Sequence, residues 1–360
     1  MRMRALPPLL LVCVLSASCD GQKKAAPSAA PSSAATATTA SGTPDASPST
    51  TPSETASATP TATATPTPRE SAPATPKPSP SASAKPTAKP SPKPAAGATK
   101  QLPRGGTKIF PKYRIVAYYG TSATPLMGVL GETTPEKAAA RIQKAAKPFE
   151  KAGKKPVLPA MEFIATIANR HAGPDGNYST PMADAVIERW LKAARKAKML
   201  LIIDVQPGHG DFLTEVKRYD KWLREPDVGL AMDPEWKMPK GVAPGSRIGS
   251  TDAKTVNAVS AYLNDIVTEH KLPQKLFVVH QFRETMIRDR SKVVTRPGLA
   301  TVFHIDGFGG REIKLKVYRY LRAPKGFYNG FKLFFDEDTN MFEPREVMRF
   351  RDVPDLITYQ

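Results

Sequence analysis

Asp233 and Glu235 stand two residues apart in VGLAMDPEW (residues 228–236), at the end of an apolar run and on either side of Pro234. Carboxylates that close push each other's proton affinities apart, so one stays ionised while the other holds a proton near neutrality. Such a pair suits general acid–base catalysis. Glycosidic bond cleavage is the leading case: a carboxylic acid protonates the leaving oxygen and a second carboxylate faces the cationic ring. Residues i and i+2 of a strand share a face, so the two are expected side by side, about 6.5 Å apart at Cα. Pro234 then faces outward, where a missing N–H costs little at a strand end. Asp204 and Asp306 end two other apolar runs and are candidates for the second charge.

Further polar groups close the remaining runs and are the expected substrate contacts: Tyr118, Tyr119, Glu162, Gln206, Trp236, His280, Gln281, Lys332, Asp336 and Tyr359. The aromatic members suit stacking on sugar rings. His304 shares a face with Asp306 but sits deeper, where a core role is expected. Asp211 reads as a helix N-cap. A metal-dependent amidohydrolase would want H-x-H on the first strand, and the sequence there is Ala117-Tyr118-Tyr119. No metal and no cofactor is therefore expected. A divalent-metal phosphodiesterase built on the acidic cluster is the weaker reading.

Eight apolar runs carry these groups: 114–119, 157–164, 199–205, 228–233, 276–280, 301–306, 330–335 and 355–359. Helical-period segments separate them at 135–152, 181–196, 211–224, 252–270, 283–290, 312–321 and 344–350. Strand and helix in strict alternation predict a (β/α)8 TIM barrel. Near-continuous apolar strands fit parallel strands covered on both faces. A doubly wound open sheet is the alternative, but YYGTSATPLMG after the first strand lacks the glycine spacing of a dinucleotide loop. The last strand ends beside Gln360, so no eighth helix is expected, with residues before the first strand covering that gap. In such a barrel the active site lies at the C-terminal ends of the strands, where the polar groups above fall. Two loops, 125–132 and 169–178, are expected to wall the mouth.

The first hundred residues have a different composition. Arg2 and Arg4 precede an apolar stretch at 9–15 and small residues before Cys19, the layout of a signal peptide over 1–18. Residues 19–105 are rich in Pro, Ala, Ser and Thr, too polar to form a core, and predict a disordered spacer reaching up to ~3.1 Å per residue. The folded domain is expected over 106–360. The only cysteines are Cys13 and Cys19, so the domain has neither disulfides nor a thiolate nucleophile. Net charge is +19, and residues 106–360 hold 41 Lys/Arg against 29 Asp/Glu. For an exported chain that charge points to anionic lipid or wall polymer rather than nucleic acid.

Three resemblances add to this reading. Leu15-Ser16-Ala17-Ser18-Cys19 resembles the lipobox of bacterial lipoproteins, which implies lipidation of Cys19. Asp233-Pro234-Glu235 resembles the D-x-E motif on strand four of barrel glycoside hydrolases, such as the family-25 lysozyme-like muramidases and, more loosely, chitinase-type enzymes. There the glutamate is the general acid, which implies that role for Glu235, with Asp233 assisting. The seventh strand offers Lys332 and Asp336 where a retaining enzyme would carry a glutamate, so a two-glutamate mechanism is not implied. Finally YYGTSATPLMGVLGE, DVQPG, DPEW, VVHQF, HIDGFG and GFKLFFDEDT together resemble a group of secreted actinobacterial lipoproteins. That similarity implies a barrel and a cell-envelope setting without specifying a reaction.

The expectation is a lipid-anchored, monomeric glycoside hydrolase-like protein. It would lie on the extracellular face of the cytoplasmic membrane, or be secreted if not lipidated, and act on a cell-wall or extracellular glycan. A non-catalytic wall glycan-binding lipoprotein is the alternative.

Overall fold

Each of the eight apolar runs forms a strand in the computed structural model, which describes residues 100–360. They are β1 (Arg114–Gly120), β2 (Val157–Ala168), β3 (Leu200–Val205), β4 (Val228–Met232), β5 (Lys275–His280), β6 (Leu299–Ile305), β7 (Tyr328–Leu333) and β8 (Leu356–Tyr359). Every strand pairs in parallel with its sequence neighbours, and β8 and β2 both pair with β1. The sheet is a closed eight-stranded parallel barrel with helices between strands, a TIM barrel. The signal peptide, Cys19 and most of the spacer lie outside the described residues.

Period-two alternation sorts the strand residues into two cores. Ile115, Ala117, Leu158, Ala160, Leu200, Ile202, Ala231, Leu276, Val278, Ala300, Val302 and Leu356 fill the lower barrel interior. Val116, Met161, Phe163, Ile203, Leu230, Val279, Phe303, Phe331 and Ile357 face outward against the helices. Leu102, Ile109, Phe110 and Tyr113 plug the N-terminal end of the barrel. This plug begins before the composition boundary at 105: Leu102 is buried, and Arg104 donates to the Val157 carbonyl at 2.7 Å. Gln274 stitches it in place, accepting from the Ile109 amide at 2.9 Å.

The helices are α1 (Pro135–Ala152), α2 (Asp184–Lys196), α3 (Phe212–Lys217), α4 (Asp220–Leu223), α5 (Ala253–Glu269), α6 (Arg311–Tyr320) and α7 (Pro344–Val347). Thr134 caps α1 with Pro135 at the first helical position, as the sequence indicates. α1 packs beside both α2 and α7, which closes the helical ring. Some expectations are corrected. The segment 211–224 is two short helices, and at the break the Tyr219 hydroxyl meets Thr166 Oγ1 at 2.5 Å. Helix α2 starts three residues later than expected because Ser179–Pro181 forms an antiparallel strand on the extended end of β2. Residues 283–290 form no α-helix. They hold a 3-10 turn and a two-residue strand, Ile287–Arg288, paired with Thr251–Asp252. Among the described residues no helix is long and apolar enough to cross a membrane.

Candidate active site

Above the apolar layers the same inward parity turns polar. Tyr119, Glu162, Asp204, Asp233, His280, His304, Asp306, Lys332, Thr358 and Gln360 project from the upper ends of the strands or the residues that follow them. Strand register sets their neighbours: Tyr119 lies level with Glu162, His280 with His304, and Lys332 with Thr358. Asp204, Glu162, His280 and His304 are fully buried, and Asp233, Asp306 and Lys332 nearly so.

His280 is the hub. Its Nδ1 meets Asp306 Oδ2 at 2.7 Å and its Nε2 meets Glu162 Oε1 at 3.0 Å. Burial opposes a charge on this ring, but the two flanking carboxylates outweigh it and hold the imidazole protonated well above its ordinary range. Both ring nitrogens then donate, one to each carboxylate. Asp306 gains most from this. Burial would raise its pKa, but His280 and Lys332 bring it down to about 2. Lys332 Nζ lies 3.8 Å from Asp306 Oδ2, donates to Gln360 Oε1 at 3.1 Å, and sits 3.6 Å from the centre of the Tyr119 ring.

The carboxylates on the other side behave differently. Burial, reinforced by the charge on Glu162, raises Asp204 to about 6, although His280 and the Tyr119 hydroxyl, which donates to Asp204 Oδ2 at 2.9 Å, pull it back. Burial and the neighbouring Asp204, Glu235 and Asp306 push Asp233 well above the usual carboxylate range. Burial and Asp306 raise Glu235 to about 7, against the pull of Lys332, His280 and Arg283. Glu235 therefore holds a proton near neutrality while Asp306, close enough to influence it, is ionised.

The D-P-E segment is not continuous strand. β4 ends at Met232, and Pro234–Trp236 form a 3-10 turn capped by Asp233, whose Oδ1 accepts from the Glu235 amide at 3.2 Å. Pro234 at the first helical position favours that turn over the extended chain, so the expected side-by-side pleat is corrected. Asp233 fixes the loop that presents Glu235. Glu235 as a whole residue is half-buried, and its carboxylate makes no hydrogen bond or ion pair among the described residues.

Several expected contacts lie elsewhere. Tyr118 and Tyr359 point out of the barrel, packed against each other, with Arg141 over the Tyr118 ring and Phe149 against Tyr359. Consecutive strand residues face opposite ways, so Tyr118 and Tyr119 cannot both line the mouth. Asp336 is exposed and lies beyond the end of β7. Trp236 is half-exposed, with Gly245 beside its ring. Gln206 does join the mouth, donating to the Tyr119 hydroxyl at 3.2 Å and accepting from the Ala168 amide at 3.2 Å. Gln281 is buried beside His280 and donates to the Arg283 carbonyl. His304 is a core residue held by Thr358 at 2.7 Å, kept neutral by burial and by the nearby His280 and Lys332. Asp211 caps α3 as expected.

Sequence reasoning missed a strut behind Lys332. Lys314, buried on α6, pairs with Asp338 at 2.8 Å and donates to the carbonyls of Gly307 and Lys332. Asp338 in turn accepts from the amides of Gly309 and Phe334. A lysine on the buried face of a helix, four residues before buried Tyr318, was the available signal.

Some groups keep unused capacity. Glu162 Oε2, Asp204 Oδ1, Asp306 Oδ1, Gln281 Oε1 and His304 Nδ1 are buried without a protein hydrogen-bond partner. Buried polar atoms of this kind are normally satisfied; His304 Nδ1 abuts Gly330 in the core, and the open oxygens of Glu162, Asp204 and Asp306 mark where a polar ligand would bind.

No protein-family model matches the chain, and no curated protein matches it. Among solved structures, a dihydropteroate synthase of Burkholderia cenocepacia, complexed with 7,8-dihydropteroate, is similar over 69% of this chain and 86% of that one, at 11% identity and a TM-score of 0.32. The barrel assignment rests on the strand order and closure described above.

Proposed function

We propose that this protein is a glycoside hydrolase-like enzyme that acts on a cell-wall or extracellular glycan, with Glu235 as the general acid. The observation that supports this most is the divergence of two neighbouring carboxyls: Glu235 raised to about 7 and Asp306 lowered to about 2. Pairs driven apart in this way take opposite parts in acid–base chemistry. Glu235 would give its proton to the glycosidic oxygen as the bond from the anomeric carbon breaks, and a water would then add its oxygen to that carbon and return a proton to the Glu235 carboxylate. Asp306 would supply the negative charge facing the developing oxocarbenium ion, held ionised by His280 and Lys332. The orphaned oxygens of Glu162 and Asp204 would accept from sugar hydroxyls, and Tyr119 and Gln206 would orient Asp204.

The test is a hydrolysis panel of peptidoglycan, chitin oligomers and capsular glycans, run with wild type and Glu235→Gln. The variant should lose about 10²–10⁴-fold in kcat, the usual contribution of a positioned acid, with its melting temperature nearly unchanged. Activity that survives in the variant would show that another group is the acid. A wild type that turns over nothing yet binds sacculi would replace catalysis by glycan binding.

The proposed setting is the outer face of the cytoplasmic membrane, with Cys19 lipidated after removal of residues 1–18. Mass spectrometry of the mature N-terminus tests this: an unmodified terminus excludes the anchor.

A further inference from the structure

An exposed phenylalanine follows Asp306 at the C-terminal end of the barrel. Phe308, two residues beyond that carboxylate in the loop between β6 and α6, is 36% exposed. Gly307 precedes it, and Gly309 and Gly310 follow it. Gly309 has a φ of +119°, which side chains disfavour, and a Cβ on Gly307 would come 3.3 Å from the Phe282 Cβ. The Phe308 ring stands edge-on to Phe334, with centres 5.7 Å apart. Lys332 Nζ, the cation beside Asp306, lies 5.5 Å from the centre of that Phe334 ring.

A single exposed apolar side chain is ordinary on a protein surface. The backbone on both sides of this one, however, is gripped by a buried ion pair. The three donors of the Lys314 ammonium go to the Gly307 carbonyl at 2.8 Å, the Lys332 carbonyl at 2.9 Å and Asp338 at 2.8 Å. Asp338 accepts from the Gly309 and Phe334 amides, each at 3.0 Å. The pair thus ties the Phe308 loop to the end of β7, and the contact between the Phe308 and Phe334 rings follows from that tie. Taking an ion pair out of water is costly, and apolar residues of similar volume often serve stability as well. What this pair supplies is a fixed position for the loop that carries Phe308. A flat aromatic face beside a carboxylate-lined mouth suits a pyranose ring, whose hydroxyls reach acceptors while its C–H bonds meet the negative face of the aromatic ring.

We infer that Phe308 is a stacking platform for one sugar ring of the glycan, next to the Asp306 carboxylate, and that the buried Lys314–Asp338 pair positions it. This rests on the glycan reading above and deepens it, adding a subsite that recognises the flat C–H face of a ring rather than its substituents.

The test reads binding apart from catalysis. Full-length Glu235→Gln is titrated calorimetrically with an N-acetylglucosamine β-1,4 tetramer and with soluble peptidoglycan glycan strands. At least one probe should bind, and adding Phe308→Ala should weaken it about tenfold, the scale of one good aromatic contact. Phe308→Trp should bind as tightly as the parent or tighter. Phe308→Leu should lose nearly as much as alanine, since leucine keeps apolar bulk without a flat face. The support is tested by Lys314→Met combined with Asp338→Leu, checked for folding by thermal melting. This apolar exchange should lose the same tenfold or so, and Phe308→Ala added to it should cost less than about twofold more, because the platform is already out of place. Gly309→Ala strains the same loop without touching the pair, and should weaken binding at least about threefold even where the pair exchange does not fold. Unchanged affinity in Phe308→Ala, parental affinity in Phe308→Leu, or no binding of either probe overturns the platform. Parental affinity in both the pair exchange and Gly309→Ala overturns the positioning role. Product analysis of wild type with the same probes reports on hydrolysis separately. Phe308-dependent binding without turnover leaves the platform standing and removes the hydrolase. Turnover with binding that ignores Phe308 does the reverse.

Discussion

Both ends of this barrel bury a lysine, and the two are treated in opposite ways. Lys275, the first residue of β5, lies at the N-terminal end and donates to the carbonyls of Glu225 and Val228 at 2.6 and 2.8 Å. Burial lowers its pKa to about 7. At the same end of the barrel the plug residues Leu102, Ile109 and Phe110 are apolar, and Gln274, next to Lys275 in sequence, is spent on the plug's amides and on the Leu299 carbonyl. Lys332, near the upper end of β7, meets a carboxylate, a glutamine and a tyrosine face instead. Among the described residues eight buried side-chain polar atoms have no protein partner, and three of them, on Glu162, Asp204 and Asp306, lie in this mouth, while Lys275 contributes none. Lys275 and Gln274 have their partners at the floor, whereas the rim keeps open carboxylate oxygens. A complete set of partners is what stability requires, while open acceptors and opposed charges are what a ligand requires.

Exchanging the two lysines for apolar residues should separate these roles. Lys332→Met is expected to cut kcat by about 10²–10³-fold, since Asp306 loses one of its two cations and the developing ring charge loses its fixed electrostatic frame. Its unfolding free energy should change little, because His280 still pairs with Asp306. Lys275→Ala should do the reverse. It removes two hydrogen bonds and leaves a void in a packed floor, at a cost of about 2–4 kcal/mol, with kcat per folded molecule unchanged. Chemical denaturation and steady-state kinetics on the two variants decide. Equal stability losses with equal kinetic losses would erase the distinction between the ends.

Gly330 tests how tightly the rim depends on the strands beneath it. A Cβ there would come 2.2 Å from His304 Nδ1, so glycine gives that ring its space between β6 and β7. His304 packs edge-on against His280 at 5.2 Å between ring centres. Gly330→Ala should cost about 1–3 kcal/mol by overpacking, and should reduce activity roughly tenfold by tilting His280 against Asp306 and Glu162. A destabilised protein with full activity would mean that His304 is filler and does not position His280.

The strands and their inward parity were readable in the sequence because apolar runs of this length, each ending in a polar residue, admit few other structures. Asp204 has the same parity as Leu200 and Ile202 and lies inside the barrel with them. Parity failed where it was extended past a strand end: the chain turns at Asp233 because proline and a capping aspartate favour a 3-10 turn, and Asp336 follows the end of β7. At Tyr118 and Tyr359 parity points outward, which their aromatic character alone does not reveal. Closure of the His280–Asp306–Glu162 triplet was not readable. It joins β2, β5 and β6, and only the register of a closed barrel brings them together. The Lys314–Asp338 strut was hidden for a related reason, since a helix lysine reads as surface until the packing of α6 is known.

The pH profile offers a finer test of the charged rim. Glu235 must be protonated to act, so activity should be full below its pKa and lost as pH rises through about 7, while Asp306 stays ionised down to about 2. Stability should follow the same groups. Glu235 and Asp204 bind protons more tightly folded than unfolded, so stability falls as pH rises from about 4, where their unfolded counterparts titrate, to about 7. Lys332→Gln removes a cation that lowers the Glu235 pKa. Its residual activity should show an alkaline limb shifted upward, by up to about one unit. A limb that stays in place would mean that Lys332 does not act on Glu235.

The smallest expected effect concerns two adjacent tyrosines. Tyr119 lies inside the mouth, its hydroxyl donating to Asp204 and accepting from Gln206, its ring face covered by Lys332. Tyr118 lies outside, against Tyr359, Phe335 and Arg141. Tyr119→Phe keeps the ring but removes one hydrogen bond to a buried carboxylate. It should lower kcat/KM about two- to tenfold, the range of one net hydrogen bond, and raise the proton affinity of Asp204. Tyr118→Phe should leave kcat/KM within about twofold, since its hydroxyl serves the outer layer. If instead Tyr118→Phe reduces activity and Tyr119→Phe does not, the inward and outward faces of β1 have been assigned the wrong way round, and the carboxylates placed by the same parity on β2 and β3 would have to be reassigned with them.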